Sequence, residues 1–480
     1  MKRGQTAITY FVAKSVAIGV SFVATVYFAR MLGAEVLGMY ALALAVVSWL
    51  EMAGKLGLEK AIVKRLSEDN DPGAHLTAGA LLMAAFFVVV AVALVAARDP
   101  VEGYVGAPVL ELLLFLAGAS LLYRLSMAAL QGRHYVHVFA ILSPARLFCA
   151  SVVQFGLVVA GLGLGGLLLG YGIGWLFAAV AGLLFLRPAV RRPARAHFQS
   201  ILTYAKWAWL GTVREESFRW VDVTVLGLFV SQGLVGVYLI ALSIASFLNT
   251  FGTAIGTTLF PEISAVSSDG DGAAVASLVE DSVAYAGIFL IPGLVGAAIV
   301  GDRLLLIYGR EFVEGTAVLW LLVAGYLVYG YQKQLVNALN AIDRPDVGFR
   351  VNGLFIASNV ILNVALIAEI GWVGAAIATG LAATLSFAYA LVAVTRLVEV
   401  SLPVLEVGRQ TAAALAMGAL VYGARALGEG TAMAAYNVPF VLALVALGGG
   451  AYFLALFGLS GRFRGTVRRN LPVDLPPLDR

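Results

Sequence analysis

The chain has 480 residues, of which 61% are hydrophobic and only 12% charged, against roughly 45–50% and about 25% in an average soluble domain. That balance excludes a soluble globular protein, and the single cysteine, Cys149, excludes intrachain disulfides and cysteine-based metal sites. The net charge of +4 comes from basic residues beside apolar runs, so membrane lipids rather than nucleic acid are the expected neighbours.

Apolar runs of about 18 to 25 residues, each able to cross a hydrocarbon core of roughly 30 Å as a helix, recur along the whole chain. The predicted spans are 7–29, 36–53, 76–97, 109–130, 137–160 and 164–186, then 204–230, 234–257, 282–300, 316–336, 351–368 and 373–396, and finally 408–426 and 436–457. The expected fold is an all-α polytopic membrane protein of about fourteen transmembrane helices. The first span follows a few polar residues without a small-residue cleavage site and reads as retained. Cations cluster at Lys2 and Arg3, at Lys55, Lys60, Lys64 and Arg65, at Arg187, Arg191, Arg192 and Arg195, and at Arg462, Arg464, Arg468 and Arg469. Cationic loops stay inside, which predicts a multi-pass plasma-membrane protein with both termini cytoplasmic.

The chain also repeats itself. Val36-Leu-Gly38-Met-Tyr40 recurs as Val235-Gly236-Val-Tyr238, and Gly163, Gly166 and Gly172 are echoed by Gly371, Gly374 and Gly380. Repeats in a membrane bundle are how transporters build two-sided access. The expected organisation is two pseudo-symmetric six-helix lobes, 1–186 and 204–398, joined by a basic cytoplasmic linker, 187–203. An extra C-terminal helix pair, 399–460, and a basic cytoplasmic tail, 461–480, follow. The loops are too short for a soluble catalytic domain, so no catalytic residues are assigned and the chain is not read as an enzyme.

Ionisable groups inside spans are the sharpest functional signal, because each costs at least about 2.5–3.5 kcal/mol unless it meets water or a partner. The seventh span carries Arg214, Glu215, Glu216, Arg219 and Asp222, with Glu215, Arg219 and Asp222 on one helical face. The three acids are candidates for ion pairing or coupling. Lys14, Arg124, Arg146 and Lys333 lie in other spans, and Asn337 and Asn359 add amides. The cations Lys14, Arg124, Arg146, Arg214, Arg219 and Lys333, with Asn337 and Asn359, form the candidate substrate-binding set, suited to an anionic headgroup. Structural alternatives stand beside this: Glu215, Arg219 and Asp222 as mutual glue, Lys14, Arg124 and Lys333 snorkelling to the interface, and the stripe Asn352, Asn359 and Asn363 as helix packing. Gly166, Gly170 and Gly174 read as close helix packing. The run 161–166 fits a dinucleotide pattern only literally, Gly54-Lys55 is followed by Leu56 and makes no ATP-binding loop, and no cofactor or metal site is expected. His75, His134, His137 and His197 lack ligand spacing and read as solvated.

Phe28-Ala-Arg30-Met-Leu32-Gly33-Ala-Glu-Val-Leu-Gly38-Met-Tyr40 with Gly57-Leu58-Glu59 resembles the opening of prokaryotic polysaccharide transporters. These are the Wzx-like flippases of the multidrug/oligosaccharidyl-lipid/polysaccharide exporter superfamily. Phe260-Pro261-Glu262-Ile263 and Gly371-Trp-Val-Gly374-Ala375 carry the likeness through the second half. The resemblance implies a two-lobed bundle moving a polyprenyl-(pyro)phosphate-linked oligosaccharide to the outer leaflet by alternating access, for surface polysaccharide or glycoprotein assembly. It also implies glycan-assembly enzymes as partners, and a cationic interior serving the phosphate. The rivals are a cation-coupled drug or metabolite antiporter of the same superfamily, a peptidoglycan-precursor flippase, and an integral-membrane glycan polymerase.

Overall fold

The computed structural model describes the backbone of residues 3–55, 57–68, 71–187, 189–208 and 210–470, with side chains described from residue 17 onward except at 53–55, 206–219, 254, 255, 257, 469 and 470. Helices follow one another without strands among these residues: α1 (Arg3–Lys55), α2 (Leu58–Glu68), α3 (Pro72–Ala96), α4 (Arg98–Val105), α5 (Leu110–Gly132), α6 (Val136–Val159), α7 (Gly163–Leu186), α8 (Arg195–Ala208) and α9 (Leu210–Phe229). They continue as α10 (Gln232–Ser268), α11 (Gly272–Ala286), α12 (Leu290–Leu306), α13 (Thr316–Ala341), α14 (Pro345–Ile370), α15 (Val373–Thr395), α16 (Val404–Glu429), α17 (Asn437–Leu459) and α18 (Gly461–Asn470). Twelve stretches among the described residues are long and apolar enough to cross a membrane. Counting the two arms of α1 separately and adding α9 reaches the fourteen expected from the apolar runs.

The helix ends follow local chemistry. Pro72 starts α3, where its missing N–H costs nothing, and the Asp71 carboxylate accepts the Ala74 N–H at 3.3 Å. The predicted spans 7–29 and 36–53 are the two arms of α1, bent at Gly33, whose φ of 79° belongs to the left-handed region that glycine enters without a β-carbon clash. The span predicted over 282–300 is interrupted instead, α11 ending at Ala286 and α12 restarting at Leu290.

The chain divides into two compact units, Met1–Leu239 and Ile240–Arg480. In the first, α2, α3, α5 and α8 share a core of Ile62, Met83, Ala128 and Ile201. The basic segment read as a linker is therefore partly helical: α8 starts at Arg195 and buries Ile201 and Ala205. This corrects the reading of His75 as solvated. It is buried, with its ring 4.5 Å from that of His197 on α8, edge to face.

The repeated glycines meet in this first unit. A β-carbon on Gly38 of α1 would overlap the Gln232 carbonyl, and one on Gly236 of α10 would overlap the Ala34 carbonyl. The two helices thus touch backbone to backbone. Each glycine's repeat-mate tyrosine, two residues on, bonds elsewhere: Tyr40 accepts from Gln154 at 3.1 Å, and Tyr238 donates to Asp222 at 2.7 Å.

In the second unit, α11, α13, α14 and α15 bury Val279, Leu335, Val351 and Ala390 together. A separate core of Ile288, Val300, Met417, Phe440 and Tyr452 seats α16 and α17 on the broken α11–α12 span. The residues after 460, read as a tail, begin as the helix α18.

Candidate functional site

Arg146 stands at the centre of the first unit's polar site. Pro144 sits within α6 two residues before it. On α7, Gly170 and Gly174 bring the backbones together: a β-carbon on Gly174 would lie 2.8 Å from the Arg146 carbonyl oxygen, and one on Gly170 would lie 2.7 Å from the Gln154 nitrogen. The glycine stripe read as close packing does that work. With α7 this near, Tyr171 and Trp175, one turn apart, present their rings to the arginine. The guanidinium carbon lies 5.6 Å from the Tyr171 ring, 5.9 Å from Trp175 and 5.5 Å from Tyr123 on α5. Each ring offers its negative face to the cation. Gln154 donates to the Leu167 carbonyl at 2.8 Å and to Tyr40, whose ring stands edge-on to Tyr171 at 6.3 Å. Nε and Nη1 of Arg146 are shielded from water and bond no acceptor. Among the described residues no carboxylate pairs with Arg146, and the groups set around its charge are aromatic faces.

Arg124, next in sequence to Tyr123, turns the other way. It bonds Glu51 of α1, which is only 6% exposed, and reaches Glu59 of α2 at 3.3 Å. Two carboxylates thus flank one guanidinium.

Asp222 lies buried on α9 with the Tyr238 hydroxyl donating to it. Nearby, Trp49 donates to the Thr224 hydroxyl at 2.7 Å, and Tyr104 of α4 donates to the Thr224 carbonyl at 2.9 Å, tying α9 to α1 and α4. The side chains of Lys14, Arg214, Glu215, Glu216 and Arg219 lie outside the described residues.

The second unit has its own polar seam, where α13 meets α10. Lys333 donates to the Thr253 hydroxyl at 3.2 Å, and Gln334 donates to the Gly252 carbonyl at 2.9 Å. Asn337 lies alongside Gly256, where an added β-carbon would come 2.6 Å from its amide nitrogen. Asn359 is in a different place: 3% exposed, it donates to Thr379 of α15 at 3.1 Å, and Asn363 donates to the Asn359 carbonyl at 2.9 Å. Asn352 likewise bonds the Gly348 carbonyl of its own helix. Of the three, Asn359 ties α14 to α15.

The structure thus brings Lys333 and Asn337 to one seam, and places Arg146, Arg124 and Asn359 in three separate surroundings. Sequence reading missed Glu51, Gln154 and the aromatic trio. The spacing of Tyr171 and Trp175 beside the glycine stripe was the available signal, since it puts two rings on the face that must approach α6.

The architecture is a bundle of helices long and apolar enough to cross a membrane. Its fold is similar to that of the lipid II flippase MurJ in an inward closed conformation, with a TM-score of 0.79 at 16% identity over 96% of this chain and 99% of that one. It is also similar to an inward-facing multidrug resistance MATE transporter, with a TM-score of 0.63 at 14% identity over 81% of this chain and 98% of that one. Residues 4–267 match the family described as polysaccharide biosynthesis protein. Two Haloferax volcanii proteins align over most of their length. The probable flippase AglR is 30% identical over 95% of this chain and 96% of its own, and the probable low-salt glycan biosynthesis flippase Agl15 is 26% identical over 89% and 91%. The chain belongs to the polysaccharide biosynthesis protein family.

Proposed function

We propose that the chain is a flippase that carries a polyprenyl-(pyro)phosphate-linked oligosaccharide from the cytoplasmic to the outer leaflet. Arg146 is the observation that carries this reading beyond kinship: a cation within a membrane-spanning helix, bracketed by three aromatic rings and without a described carboxylate partner. An anionic ligand completes such a group, and the flanking rings suit the apolar faces of sugars. Lys333, Asn337, Lys14, Arg214 and Arg219 are assigned polar contacts with the substrate. Arg124, held by Glu51 and Glu59, is assigned a structural role, as is Asn359. Sugars cannot cross hydrocarbon unaided because their hydroxyls would lose hydrogen bonds. With the inside negative, each negative charge moved outward gains about 2.3 kcal/mol per 100 mV, so the potential can drive export.

No covalent step enters this reading. The basic clusters support cytoplasmic termini, and glycan-assembly enzymes acting on the delivered product are the expected partners. The experiment is deletion of the gene followed by extraction of lipid-linked glycans. The expected result is an intact lipid-linked oligosaccharide accumulating on the inner face, restored to export by the wild-type chain and not by Arg146→Gln. Unchanged glycan export together with lost drug efflux would replace this reading with that of an antiporter.

A further inference from the structure

Helix α18 carries four arginines and no acid in ten residues, immediately after the 23-residue apolar α17. Its inner face is firmly seated. Ser460 accepts the Phe463 N–H at 2.9 Å and donates to Glu406 of α16. Arg462 pairs with Asp281 of α11 at 3.0 Å, Thr466 bonds the Tyr285 hydroxyl at 2.6 Å, and Phe463 stacks on Phe453 with centroids 6.0 Å apart. One carboxylate therefore answers one arginine. Arg464 and Arg468, four residues apart and so on one side of α18, have no carboxylate partner among the described residues. Nε of each is shielded from water and bonds no acceptor.

The apolar surface beside them is equally unpartnered. Arg464 donates to the Gly458 carbonyl at 3.2 Å and lies over the Phe457 ring at 6.0 Å, which sets it on the α17 face that also bears Leu454, 76% exposed. Two cations thus stand at the end of a membrane helix with an apolar strip running away from them along that helix. A free phosphate would use the cations and ignore the strip; a phospholipid uses both.

We infer that Arg464 and Arg468 form a docking site for an anionic phospholipid, its phosphate between the two guanidinium groups and one acyl chain along Phe457 and Leu454. The site is separate from the transported headgroup's contacts and acts as a buttress. Through Arg462, Thr466 and Ser460 the seated helix holds α11 and α16, so the lipid fixes the side of α18 that the protein leaves open.

The test uses the full chain in bilayer nanodiscs of phosphatidylcholine alone or mixed with phosphatidylglycerol, read by native mass spectrometry of retained lipids and by thermal unfolding. The wild type should retain phosphatidylglycerol and unfold at a higher temperature with it. Arg464→Gln/Arg468→Gln should lose about thirtyfold in lipid retention, the expectation for two arginines near an anionic surface, and should lose the thermal gain. Arg464→Lys/Arg468→Lys, which keeps the charge, should retain part of both, and Arg192→Gln/Arg195→Gln should behave as wild type. The inference is overturned if the glutamine pair holds the lipid as well as wild type, if the Arg192 and Arg195 variant loses it equally, or if inorganic phosphate reproduces the stabilisation. None of these readouts depends on transport, so the flippase reading stands or falls separately.

Discussion

Arg124 and Arg146 are two intramembrane arginines on neighbouring helices, and they differ in how their charge is answered. Arg124 sits between Glu51 and Glu59, each within ion-pair distance of it. Arg146 has three ring faces and no described acid. The first arrangement holds α1, α2 and α5 together through a pair whose Glu51 end is almost wholly buried. The second leaves attraction to spare. Charge inside a membrane is therefore no guide to function until its partner is known.

The largest effect should come from breaking the answered charge. Arg124→Ala removes the cation bonded to Glu51, only 6% exposed, and should cost about 3 kcal/mol of unfolding free energy in detergent, with little surviving protein in the membrane. The paired replacement Arg124→Met/Glu51→Met should recover most of that loss; failure to recover would show that the triad does more than neutralise itself. Arg146→Gln should reverse the pattern, lowering glycan export about tenfold or more through lost charge-assisted bonds while unfolding stays within about 1 kcal/mol of wild type. A destabilisation as large as that of Arg124→Ala would make Arg146 a structural residue. Trp175→Leu removes one ring face and should weaken export by a few-fold, in keeping with about 1 kcal/mol for a cation–π contact. Tyr123→Phe keeps the ring and loses only the hydroxyl. It should be the mildest change, and an export defect equal to that of Trp175→Leu would mean that the hydroxyl itself touches substrate.

Most of the fold was legible because it rests on apolar length, which the bilayer makes decisive. The spans emerged from composition alone. The bend at Gly33 did not, since the helix resumes at once and α1 reads as two spans either way. The seat of α8 on α3 was hidden for a different reason: a run of arginines signals position relative to the membrane, while Ile201 and Ala205 bury themselves by a four-residue rhythm too short to stand out. For the site, sequence could name Arg124 and Arg146 and could not rank them. Their partners come from positions 73 and 65 residues away for Arg124 and from separate helices for Arg146. Asn359 illustrates the same limit, its amide spent on Thr379 of the next helix.

The crossing of α1 and α10 at Gly38 and Gly236 carries one more implication. Side chains elsewhere can exchange rotamers and settle into a second fit when a neighbour changes. Here nothing but main chain faces main chain, so the spacing of the two rods is set by the radii of a carbonyl and an amide. Even a methyl group on either residue works as a wedge. The joint has a single closed setting, and any alteration to it can only prise it apart.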